Sequence, residues 1–112
     1  MNENKRIITI FSLLLFFLVW VTTACAADAQ KHNYKPSVGY VPDQETAIRI
    51  AVAIWIPIYG KEQIERERPY KAILKNGIWY VTGSLPEGSF GGVAEAEINK
   101  ESGCIIRISH GQ

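Results

Sequence analysis

Asn76-Gly77 stands between two runs of strand-forming residues, Tyr70-Lys71-Ala72-Ile73-Leu74-Lys75 and Ile78-Trp79-Tyr80-Val81-Thr82. A two-residue type I′ turn needs positive φ at both central positions, and asparagine followed by glycine meets that need best. Such a turn fixes the register: Leu74 faces Trp79, and Ala72 faces Val81. These four residues share one side of the hairpin. Lys71, Ile73, Lys75, Ile78, Tyr80 and Thr82 take the other. The chain is thereby committed to an antiparallel sheet with an apolar face that another element must cover.

The stretch from Asp43 to Tyr59, DQETAIRIAVAIWIPIY, supplies the cover. Ala47, Ile48, Ala51, Ile54, Trp55 and Ile58 recur at steps of three and four and predict one face of a helix. Asp43 is its N-cap, and Glu45 places negative charge in the first turn. No residue from Ile50 to Ile58 is polar, so Ile50, Val52, Ala53 and Ile56 on the back also call for burial or for a partner. Pro57 removes a backbone hydrogen bond, which predicts a kink or an end near Ile56. A short charged segment, Lys61 to Arg68, follows, with Ile64 as its apolar anchor and Glu62 and Arg66 spaced to pair. Pro69 stops it.

Beyond the hairpin, Ser84 to Gly92 is a loop rich in glycine. Val93 to Ile98 alternates, with Ala94, Ala96 and Ile98 on one face and Glu95 and Glu97 on the other. Asn99 to Gly103 is a turn with Gly103 in the left-handed position. The last strand runs from Cys104 to Ser109, and the pattern leaves open whether Ile105 or Ile106 faces the helix. The order predicts an α+β fold: an N-terminal helix kinked near Pro57 and a short helix, packed on a curved four-stranded antiparallel sheet.

The 112 residues allow one domain. Lys5 and Arg6, the apolar run Ile7 to Val21 and the small residues Thr22 to Ala27 have the order of a secretory signal peptide, expected over 1–27. Val21-Thr22-Thr23-Ala24-Cys25 resembles a bacterial lipobox, which would lipidate Cys25 and hold the protein to a membrane by that anchor alone. Ordinary cleavage at Ala24-x-Ala26 or Cys25-x-Ala27 is the competing reading, and both remain open. Residues 28–39 read as a linker and 40–112 as the domain. On either cleavage route Cys104 is left alone, a small buried hydrophobe with no disulfide. The expected location is the periplasm or, for the lipoprotein, the membrane surface.

Removing Lys5, Arg6 and Glu3 leaves ten basic and ten acidic residues of the chain's 12 and 11. There is no basic excess to hold nucleic acid by its phosphates. His32 and His110 lack the companions a metal site requires, and no cofactor motif is present. Glu95 and Glu97 are the one carboxylate pair on a common face, but nothing around them forms a catalytic set. The outer sheet face mixes apolar groups with both signs of charge, as protein-recognition surfaces do. Tyr80, Glu95, Glu97 and Arg107, with Glu87 and Phe90 of the glycine-rich loop, are the candidate interface residues.

Asp43-x-Glu45-Thr46-Ala47-Ile48, Tyr59-Gly60-x-x-x-Ile64 and Glu67-x-Pro69-Tyr70 begin an ordered set. It continues through Trp79-x-Val81-x-Gly83-x-Leu85-Pro86, Gly91-Gly92-Val93 and Glu97-Ile98-Asn99-Lys100-x-x-Gly103. Taken together, the set is similar to the NTF2-fold immunity proteins of bacterial polymorphic toxin systems over about Tyr40 to Gly111. The resemblance implies a helix-on-curved-sheet cone. It also implies a non-enzymatic role, in which the protein binds and neutralises a cognate toxin that is met, or acts, in the envelope. It carries over no catalytic residues. The chain departs from a full NTF2-like fold in lacking the extra helices that close the cone. The alternating strand followed by Asn99-Lys100-x-x-Gly103 also resembles PepSY-type envelope modules, which would imply regulation of a peptidase.

Overall fold

In the computed structural model, which describes residues 32–111, Asn76 (φ 51°) and Gly77 (φ 75°) both occupy the left-handed region the turn demands. Around them β1 (Lys71–Lys75) and β2 (Ile78–Thr82) pair with Leu74 opposite Trp79 and Ala72 opposite Val81. Strands β3 (Ala94–Asn99) and β4 (Ile105–His110) complete an antiparallel meander in the order β1-β2-β3-β4. The β3–β4 turn is closed by Asn99, whose Oδ1 accepts from the backbone N–H groups of Glu101 and Ser102 at 2.9 and 3.0 Å. Gly103 takes φ 73° there, a conformation that a side chain would strain.

Helix α1 (Gln44–Tyr59) lies against β1, β2 and β3 on the inner face of the sheet, and α2 (Lys61–Arg66) folds back against it. Thr46 N donates to Asp43 Oδ1 at 2.8 Å, so Asp43 caps the helix as its position in the sequence predicts. Ala47, Ala51 and Trp55, one turn apart, are fully buried. They share a core with Ala72, Trp79, Val81, Ala94, Ala96 and Ile98 from the strands and Ile64 from α2. Alanines on both layers let helix and sheet approach closely, and the two indoles fill the space that remains. Each indole also finds an acceptor: Trp55 Nε1 donates to Glu95 O at 3.3 Å, and Trp79 Nε1 to Val41 O at 2.8 Å.

Several expectations are corrected. Helix α1 does not end near Ile56 but continues through Pro57 to Tyr59, where Gly60 N donates to Ile56 O at 2.8 Å. Ile58, expected on the buried face, is 56% exposed. Of the residues that call for burial or a partner, Ile50, Val52 and Ile56 pack partly buried against the core, while Ala53 is exposed. Glu62 and Arg66 do not pair: Arg66 Nη2 donates to Gln63 Oε1 at 2.8 Å, and Lys61 approaches Glu65 at 3.9 Å.

The last strand resolves a register that its pattern leaves open. Ala96 faces Ile108 and Glu97 faces Arg107, but Ile98 faces Ile105, so β4 carries one extra residue at a bulge. Ile108 is the isoleucine that reaches the core, while Ile105 and Ile106 are both substantially exposed. Cys104 is half-buried and disulfide-bonded, not the solitary buried thiol expected. The residues read as a signal peptide, 1–27, and with them Cys25, lie outside the described residues.

The described part of the segment read as a linker, together with the first two residues of the domain, is attached to the β3–β4 turn. Tyr40 N donates to Glu101 O at 3.1 Å and Val41 N to Lys100 O at 3.0 Å. Lys35 pairs with Glu101 at 3.2 Å, and Lys100 Nζ bonds Val38 O. Val41 is 1% exposed and belongs to the core.

Candidate functional site

The outer face of the sheet is set by the pleat. Inward-pointing residues alternate with outward ones, so the register that buries Ala72, Trp79, Val81, Ala96 and Ile98 turns their neighbours out. One cross-strand row reads Ile73, Tyr80, Glu97, Arg107, and the next reads Lys71, Thr82, Glu95, Ser109. The candidates Tyr80, Glu95, Glu97 and Arg107 thus come together. With Thr82 and Ser109 they line a shallow hollow of about 130 Å³. Ser109 Oγ donates to Glu95 Oε2 at 3.3 Å and holds that carboxylate at one edge. Glu97 and Arg107 stand directly opposite each other, where unlike charges ordinarily pair, yet no ion pair joins them. Ile73 is 67% exposed beside Tyr80, so apolar and aromatic surface borders the charged groups.

Glu87 and Phe90 are not part of this hollow. They lie on the β2–β3 loop, where Phe90 is wholly exposed and does not fold back onto the core. Beneath that loop is a second cleft of about 220 Å³, lined by Gln63, Arg66, Glu67, Leu85 and Phe90 among others. The two depressions share no lining residue.

A third cluster has no counterpart among the candidates drawn from the sequence. Glu67, at the end of α2, is 3% exposed. Its Oε1 accepts from Ala94 N at 2.7 Å, and its Oε2 accepts from Gln63 Nε2 at 3.3 Å. His110 Nε2 stands 3.0 Å from the same Oε2, with the Tyr59 ring centred 5.1 Å from the imidazole. Burial alone would lower the His110 pKa. The hydrogen bond to Gly111 O and the hydrogen bond and charge of Glu67 outweigh it, and the value is raised. In the adjoining segment Ser84 N donates to Glu67 O at 2.7 Å and Ser84 Oγ to Pro69 O at 2.5 Å. The arrangement ties β4 to α2.

Among the described residues no group of three or more His, Cys, Asp or Glu is placed to hold a metal ion. No helix among them is long and apolar enough to cross a membrane.

Comparison with known proteins accords with this architecture. The family model of the NTF2 fold immunity protein matches residues 46–112. The chain is 32% identical over 116 residues to the uncharacterized protein YbbC of Escherichia coli K12, a match covering 91% of this chain and 95% of that protein. No solved structure matches it significantly. The matched span runs from the first turn of α1 through all four strands, so the helix-on-sheet unit described above is the unit the family shares, and the chain belongs to the NTF2-fold immunity protein family.

Proposed function

We propose that this is an exported immunity protein, which binds a cognate toxin domain stoichiometrically and blocks it without chemistry of its own. The observation that carries the reading is the family match over nearly the whole helix-on-sheet unit, which supports a toxin-neutralising role in general terms. The uncovered outer face of the sheet supports binding as the means. It offers apolar, acidic and basic groups together on a rigid element, and its carboxylates open to solvent instead of into a dry cavity. The signal-peptide pattern supports a toxin met in the envelope, either by a free periplasmic protein or by one held through a lipid on Cys25. No observation favours the PepSY-like regulator over this reading.

The deciding experiment is survival. The C-terminal domain of the large reading frame adjacent to the gene is directed to the periplasm, with and without this protein. Rescue that requires the leader is expected, together with a one-to-one complex of the two purified proteins. Toxicity without rescue, or no complex at micromolar concentration, rejects the proposal. A mass spectrum of the exported protein separates the two processing routes. A diacylglyceryl mass on Cys25 marks the lipoprotein.

A further inference from the structure

The charged groups of the outer sheet face form no ion pairs with one another, although Glu97 and Arg107 stand opposite each other on neighbouring strands. Away from it, Glu45 pairs with Arg49, Lys35 with Glu101, and Lys61 with Glu65. On it, Lys71, Lys75, Glu97 and Arg107 have no ion pair among the described residues, and Glu95 has only the Ser109 hydroxyl. These groups are ordered by strand. Lysines lie along β1, Ile78 and Tyr80 along β2, glutamates along β3 and an arginine on β4. The stripes run basic, apolar, acidic, basic.

That order argues against a second copy of the chain as the occupant. A two-fold axis across the strands sets β1 over β1, lysine against lysine and glutamate against glutamate. An axis along the strands sets β1 over β4, and Lys71 and Lys75 then meet Arg107. Either pairing places like charges together at a face whose described charges lack internal counterions. A different protein with the opposite order meets no such repulsion.

Resting on the immunity reading above, we infer that the outer face of the sheet is the surface that takes the toxin. It fits a partner that presents a basic side chain over Glu95 and Glu97, and an apolar group beside it over Ile73 and Tyr80. Carboxylates on that partner flank the two, reaching Lys71 and Lys75 on one side and Arg107 on the other. The hollow lined by Tyr80, Glu95, Glu97 and Arg107 has room for the end of one side chain, and Tyr80 presents an aromatic ring there to a cation. Glu97 and Arg107, held opposite but apart, are left to pair across the interface.

Two measurements test this. In the first, the isotopically labelled exported protein is titrated with N-acetyl-arginine methylamide, and with N-acetyl-glutamine methylamide as the neutral control. Amide shifts confined to residues 80–82, 95–97 and 107–109 are expected with the arginine probe alone, and about threefold smaller in Glu97→Gln. Shifts elsewhere, or unchanged in that variant, overturn the assignment. In the second, the survival assay compares Glu97→Lys with Glu62→Lys, a charge reversal on α2 away from the face. Glu97→Lys is expected to weaken toxin binding by about tenfold or more, while Glu62→Lys leaves it unchanged. Equal rescue by wild type and Glu97→Lys overturns the inference and leaves the immunity reading standing. If wild type gives no rescue, the immunity reading fails, and the titration alone decides whether the hollow takes a basic group.

Discussion

Glu67 has three partners for its carboxylate and a backbone packed against it. A Cβ placed on Gly83 would lie 2.8 Å from Glu67 Oε1 and 2.9 Å from Glu67 Cβ, so only glycine leaves the buried carboxylate in place. Gly83→Ala should therefore cost about 1–3 kcal/mol of stability, read as a lowered urea midpoint. The His110 contact adds a pH dependence of definite sign. A raised folded pKa means that the protonated imidazole is favoured by folding. The stabilisation is fully present below the unfolded value of about 6.5 and is lost as pH rises through the folded value. The urea midpoint should fall over that window in wild type and much less in Glu67→Gln, which keeps an acceptor for Ala94 N but not the charge. A flat wild-type profile would refute the coupling. None of this is legible in the sequence. Glu67 sits in a run of alternating charge that reads as a solvated face, and its decisive partners, Ala94 and His110, lie 27 and 43 residues away.

Among the elements, the hairpin is readable to the residue because two adjacent positive-φ positions admit few sequences and then dictate every pairing that follows. Strand β3 is equally legible from its alternation, and that alternation places Glu95 and Glu97 on the face where they are found. Strand β4 is not. Ile105, Ile106 and Ile108 offer apolar side chains at both parities, so period two cannot choose a register, and the bulge admits one extra residue. Helix α1 shows a local rule outweighed by packing. Pro57 loses the hydrogen bond its N–H would make, yet partly buried Ile56 and Tyr59 and the Gly60–Ile56 bond carry the helix on. Pro57→Ala should then stabilise the protein by about 1 kcal/mol, below the ~3 of a helix interior because it stands in the last turn. A differential melt would show it, and a lower midpoint would mean that the proline ring itself packs usefully. At the other end, Asp43→Ala should lower the midpoint while Asp43→Asn keeps most of it, since asparagine still accepts from Thr46 N.

At the scale of the whole molecule, the fold buries one face of its sheet and leaves the other exposed, and the edge of the folding unit decides how firmly that face is held. The family match begins at residue 46, but the core does not. Val41 is 1% exposed, its carbonyl accepts from buried Trp79, and its N–H together with that of Tyr40 bonds the β3–β4 turn. Gly39 lies so close to that turn that a Cβ would stand 2.6 Å from Lys100 O. A chain beginning at Thr46 would lose the Asp43 cap, expose the apolar groups Val41 covers, and leave the Trp79 N–H to find water. The combined loss should be about 2–4 kcal/mol. Against the low end of the roughly 5–15 kcal/mol typical of domains, which suits a core this small, that leaves only about 1–3 kcal/mol and a measurable unfolded fraction. A chain beginning at Val38 should unfold at the same urea concentration as the full-length protein. The two truncations therefore separate a segment that rests on the surface from one that closes the core. If the Thr46 chain matched the Val38 chain in midpoint, the Val41–Trp79 contact would carry no stability. If it failed as expected, tests of toxin binding would need residues 38–45 to be interpretable at all, because the outer face is displayed by β2 and β3, and Trp79 of β2 is anchored through Val41.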